Sequence, residues 1–91
     1  MATFAVISDR DNEKLHVRVL EIFPEDDVMK ADNRLIFIAS SKDNLAKQIT
    51  EKIESNGVHL KEYGRVIAFS ITSYQGYHYT KVWEWLKGKV S

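Results

Sequence analysis

Apolar and polar residues alternate in short blocks along this chain, punctuated by Pro24, Gly57, Gly64, Gly76 and Gly88. Thr3 to Ser8 (Thr-Phe-Ala-Val-Ile-Ser) is apolar at both parities, the pattern of a strand buried on both faces and therefore central in its sheet. Arg34 to Ala39 (Arg-Leu-Ile-Phe-Ile-Ala) repeats it, and Arg65 to Ser73 (Arg-Val-Ile-Ala-Phe-Ser-Ile-Thr-Ser) predicts a further strong strand. Val28 to Ala31 reads as a short strand ahead of an Asp32-Asn33 turn. Leu45, Ala46, Ile49 and Ile53 recur at helical spacing. That helix is expected to be capped by Ser40 or Ser41, with Asp43 completing a variant capping box, pairing with Lys47, and with Asn56-Gly57 as a left-handed stop.

Two segments fit both periods. In Glu13 to Phe23, Leu15, Val19, Ile22 and Phe23 share a helical face, while Leu15, Val17 and Val19 alternate with His16 and Arg18 as in a strand. Helix is predicted, because Asn12 or Asp11 can cap it, Pro24 closes it, and eleven residues is long for a strand. In His78 to Val90 a helix lines up Tyr79, Val82, Trp83, Leu86 and Val90, whereas a strand would align Tyr77, Tyr79, Trp83 and Trp85. Length, Gly88 and the terminal lysines again favour helix. Val58 to Tyr63 carries no assignable pattern. The order predicts an α+β fold: a ferredoxin-like βαββαβ sandwich, two helices on one face of a mainly antiparallel sheet, with an additional C-terminal helix.

Composition narrows the function. Ninety-one residues make a single domain, 1–91, whose small core leaves room for stabilisation by homodimer formation. Thirteen basic residues balance thirteen acidic ones, so no global field draws the chain to nucleic acid or to an anionic membrane surface. The absence of cysteine excludes disulfides, thiolate zinc sites and cysteine nucleophiles. No apolar run approaches the roughly 20 residues of a membrane helix, and Met1 to Arg10 does not resemble a signal peptide. The expected location is cytoplasmic.

Catalytic signatures are missing from the sequence. There is no glycine-rich phosphate loop, no His-Glu-x-x-His and no Gly-x-Ser-x-Gly, and His16, His59 and His78 are scattered. Two places remain. Ser8-Asp9-Arg10-Asp11 follows the first strand, where Asp9 with Asp11 could hold magnesium or manganese through oxygen ligands; as an ordinary turn, the same residues would cap the next helix. The second place is dense in aromatics: Tyr74, Tyr77, His78, Tyr79, Trp83 and Trp85. Here Tyr74, Tyr77 and Trp85 are the candidate partner-binding residues, with Trp83 as a core plug. Glu25-Asp26-Asp27 and the lysines Lys42, Lys47 and Lys52 read as solvated charge.

Ser73-Tyr74-Gln75-Gly76-Tyr77, followed by Trp83-Glu84-Trp85-Leu86, resembles a family of short uncharacterised bacterial proteins that open on a Phe-Ala-Val-Ile-like strand and end on Tyr-x-Gly leading to Trp-x-Trp. Arg34 to Ala39 with Ser40-Ser41 is similar to their middle strand and following cap. The resemblance implies no activity. More loosely, the chain resembles the small ferredoxin-fold nucleases of CRISPR adaptation, which are dimers with an aspartate after the first strand. Asp9 matches that position, but the basic character and the strand-like tail of those proteins are missing. The favoured expectation is a non-catalytic homodimeric binding module that engages a protein partner. The alternative is a divalent-metal-dependent nuclease or nucleic-acid-associated protein.

Overall fold

The computed structural model describes residues 1–76 and 78–89. In chain order these form β1 (Ala2–Ser8), α1 (Glu13–Ile22), β2 (Val28–Asp32), β3 (Leu35–Ser40), α2 (Ala46–Ile53), β4 (Val66–Ile71) and α3 (Thr80–Lys89). Short 3-10 turns lie at Glu25–Asp27, Glu54–Asn56 and Leu60–Tyr63. The chain is thus α+β, with one antiparallel sheet in the strand order β2-β3-β1-β4 and three α-helices among the described residues. None of those helices is long and apolar enough to cross a membrane.

The two-parity apolar pattern of the first strand has the expected cause. β1 lies between β3 and β4, with Phe4 opposite Ile38 and Ser70, and Val6 opposite Ile36 and Ala68. Those residues face α1 and α2, which bury Leu15, Val19, Ile49 and Ile53 against them, while Phe23 and Tyr63 complete the same core. Thr3 and Ala5 point to the other face and are buried too. On that second face α3 presses Val82 and Leu86 onto Ala31, flanked by Met29, Leu35 and Phe37 of β2 and β3.

Local chemistry sets the helix ends. The Asn12 side-chain oxygen accepts from the Leu15 amide at 3.1 Å, which caps α1 as expected. Phe23, forced out of helical geometry by Pro24, adopts extended backbone. Gly57, at φ +84°, ends the second helical segment in the left-handed region, where a side chain would be strained.

α2 starts later than its sequence suggests. Ser40 is still a strand residue, paired with Ala2. Its hydroxyl accepts from the Lys42 and Asp43 amides, so it holds a turn and does not cap a helix. The helix start is closed by Gln48, whose side chain accepts from the Asn44 and Leu45 amides. The expected Asp43–Lys47 pair is also replaced. Asp43 lies before the helix and takes Lys52 at 2.6 Å, while Lys47 faces Glu51 at 3.6 Å.

Arg18 joins the two helices. From α1 its guanidinium donates to the carbonyls of Ile53 (3.0 Å) and Lys52 (3.2 Å) and to the Ser55 hydroxyl (2.9 Å). It therefore adds a donor to carbonyls at the end of α2, and places a cation where the helix dipole favours one. Replacing it as Arg18→Met keeps an apolar stem but deletes these bonds. The expected loss is about 1.5–3 kcal/mol, since bonds to a charged donor dominate. Urea unfolding should show a lower midpoint at unchanged slope.

Candidate functional site

The turn after β1 is a structural joint. Asn12 is buried, and its amide donates to the Ser8 hydroxyl at 3.2 Å and to the Tyr63 carbonyl, besides capping α1. Asp9 and Asp11 reach outward, each with its own arginine: Arg10 lies 3.4 Å from Asp9 and Arg34 3.5 Å from Asp11. Gly64, at φ +92°, lets Arg10 pass; a Cβ there would come within 2.9 Å of its Nε. Among the described residues no group of three or more histidine, aspartate or glutamate side chains is placed to hold a metal ion. Within residues 8–12, Asn12 caps α1 and ties the end of β1 to the Tyr63 turn.

The aromatic tail fastens α3 to the body. Trp85 donates from Nε1 to the Asp26 carbonyl at 3.0 Å, and its ring centroid lies 6.4 Å from that of Phe37. Tyr74 stacks on Trp83 at 5.4 Å. Lys89 reaches Asp27 at 3.0 Å. The run Glu25-Asp26-Asp27 is thus no plain solvated loop, because Asp26 and Asp27 are the far side of these contacts. Of the three candidate partner residues, Tyr74 and Trp85 are half-buried in intramolecular packing, and Tyr77 lies outside the described residues. Tyr79 is 65 % exposed, edge-on to His78 at 5.1 Å and approached by Lys81.

Two clefts flank this tail. One of about 230 Å³ runs between Phe37, Tyr74, Trp83 and Leu86. The other, about 510 Å³ and open, is lined by Asp32, His78, Tyr79 and Thr80. Asp32 is engaged in its own turn, accepting from the Arg34 amide at 2.7 Å. If Trp85 is the fastener, Trp85→Ala should cost about 1.5–3 kcal/mol, less than for a fully buried tryptophan because the ring is half-exposed. Amide exchange should speed up throughout α3 while β1 stays protected.

One carboxylate, Asp43, is buried. Burial works to raise the Asp43 carboxyl, but hydrogen bonds from Lys52 and Ser40, with the charges of Lys52 and Lys42, outweigh it and hold the group below its ordinary value. The Lys52 ammonium also lies 5.7 Å from the Phe23 ring centroid, so the lysine expected in solvent is part of this cluster. The Glu13 carboxyl is lowered as well, chiefly by the hydrogen bond and charge of Lys30 at 3.0 Å. A depressed carboxyl binds its proton more weakly folded than unfolded, so its contribution is present above the ordinary carboxylate range and is lost as the pH falls through it. Stability should therefore fall on acidification below about pH 4. Asp43→Asn should flatten that fall in urea titrations at successive pH values.

The remaining feature lies on the side of the sheet that α3 shares. Among the described residues, α3 packs on β2 and β3. On the β1–β4 side of the same face, Ile7, Ile67 and Phe69 are 44 %, 59 % and 49 % exposed. Register places Ile7 directly opposite Ile67, and Phe69 opposite the small Ala5, so the three form one apolar surface. Sequence reasoning missed it, because a run apolar at both parities reads as buried on both faces. Its only sequence trace is that Ile67, Phe69 and Ile71 share one parity of a strand whose other parity is the smaller Val66, Ala68 and Ser70. Compared with family models, curated proteins and solved structures, the chain has no match.

Proposed function

We propose that this protein is a non-catalytic interaction module that works as a homodimer, with the open half of its sheet as the contact surface. The observation that carries the reading is the contiguous exposure of Ile7, Ile67 and Phe69. Large apolar side chains grouped on one exposed face mark contact sites far more often than isolated ones do. A second copy is the favoured occupant because the net charge is zero, so two chains meet without electrostatic repulsion. The core of so small a domain also gains from such burial.

The fold is read as ferredoxin-like. Support for this comes from strand–helix–strand repeated twice, a first strand inside the sheet, and α1 and α2 together on one face. The likeness to short bacterial proteins ending in Tyr-x-Gly and Trp-x-Trp belongs to the same reading. So does a cytoplasmic location, which suits a chain free of cysteine. The nuclease reading would place magnesium or manganese on Asp9 and Asp11. It gains nothing from two aspartates that each face an arginine.

Sedimentation velocity across a micromolar concentration series tests the proposal. The wild-type chain is expected to sediment as a dimer. The double substitution Ile67→Lys with Phe69→Lys should yield a monomer, with stability changed by no more than about 1 kcal/mol because both side chains are already half in water. A wild-type chain that stays monomeric at hundreds of micromolar would sink the reading.

A further inference from the structure

We infer that two copies of the chain join edge to edge through β4, in antiparallel register about a two-fold axis at Ala68, making one continuous sheet. The inference rests on the homodimer reading above but places the contact at the β4 margin of the open face, where Ile67 and Phe69 meet the second copy side by side while Ile7 stays uncovered.

The two edges of the sheet differ. β2 is broken by an irregularity between Lys30 and Asp32, carries both of those charges, and is flanked by α3 and the Glu25–Asp27 turn. These are the usual devices that keep an edge from pairing. β4 has none of them: Val66-Ile67-Ala68-Phe69-Ser70-Ile71 holds no charge, no proline and no bulge, and it pairs with β1 in unbroken register.

The backbone of β4 then fixes the register. The Asp9 amide donates to the Arg65 carbonyl at 3.1 Å, continuing the pairing of Ser8 with Val66. Successive residues of an antiparallel strand turn their polar groups to opposite sides. Residues 65, 67, 69 and 71 therefore bond to β1, and Val66, Ala68 and Ser70 turn theirs outward. A two-fold axis at Ala68 pairs Ala68 with its own copy and Val66 with Ser70 of the other chain. Every outward group is then satisfied within the strand. An axis at Phe69 would instead push Val66 onto Thr72, beyond the strand end.

Side chains agree with the Ala68 axis. On the open face it sets Ile67 against the second copy's Phe69, so the apolar surface of one chain runs into that of the other. On the helix side only Ala68, Val66 and Ser70 meet. No like charges oppose one another, the arrangement that would otherwise penalise self-pairing.

Amide exchange by NMR on the wild-type chain, run as a dilution series, reads the seam directly. The amides of Val66, Ala68 and Ser70 should exchange at least about tenfold more slowly at dimer-forming concentration than on dilution. Ala68→Pro should abolish the dimer while leaving the fold intact by circular dichroism, since the lost N–H points outward and β1 pairing does not use it. If a dimer forms with these three amides exchanging fast, or persists in Ala68→Pro, the edge seam is wrong and the contact is face to face, with the interaction reading still standing. Protection of the three amides that ignores dilution would show the edge covered within one chain and would also overturn the seam. A chain that is monomeric throughout overturns both.

Discussion

β1 bonds to a strand on each side and buries Thr3, Phe4, Ala5 and Val6 in succession, and the remaining elements are arranged by that double demand. Phe4 and Val6 are fully buried toward α1 and α2, so those two helices must lie together on one face. Thr3 and Ala5 on the reverse are small, and they let Phe37 of β3 and Phe69 of β4 stand as neighbours to either side of them. Burying a side chain of the size of phenylalanine or valine stabilises by roughly 1.5–3 kcal/mol. Loss of β1 would separate β4 from β3 and leave α1 and α2 without a floor.

Around this strand the polar residues act as fasteners. Asn12 ties the end of β1 to the start of α1 and to the Tyr63 turn. Arg18 ties α1 to the end of α2. Asp43 with Lys52 ties the loop after β3 to α2. Each serves backbone groups or charges that burial would otherwise leave unpaired, at a cost comparable to a lost core methyl group or more. Of the polar residues after β1, it is Asn12 that does this joining, while Asp9 and Asp11 stay at the surface beside Arg10 and Arg34.

How much of this the sequence displayed depends on whether the signal was local. β1 and β3 were legible because inner strands are apolar at both parities. α1 was legible because Asn12 and Pro24 bound it on either side. α2 was displaced because Ser40 followed by Asp43 satisfies a strand-end turn as well as a helix cap, and nothing nearby distinguishes them. The partners of Arg18 and Asp43 were hidden for a different reason: they lie 35 and 9 residues away, where spacing carries no information. The candidate surface was hidden most completely. An edge strand whose outer parity is apolar has the same sequence as an inner strand, so Ile67 and Phe69 declared burial that the chain by itself does not supply.

The geometry of layers explains why it does not. A packed helix is about 10–12 Å wide and neighbouring strands are about 4.8 Å apart, so one helix covers two strands. A four-stranded sheet consequently needs two helices on each face. α1 and α2 meet that requirement on one face, while among the described residues the other receives α3 alone, pinned over β2 and β3 by Trp85 and Lys89. α3 cannot slide to the centre without giving up its contacts with Asp26 and Asp27. The bare half-face beside β4 is the part of that face that α3 does not reach. An apolar surface of that origin is fixed in shape by the sheet beneath it, which is the condition under which a partner can be recognised by fit.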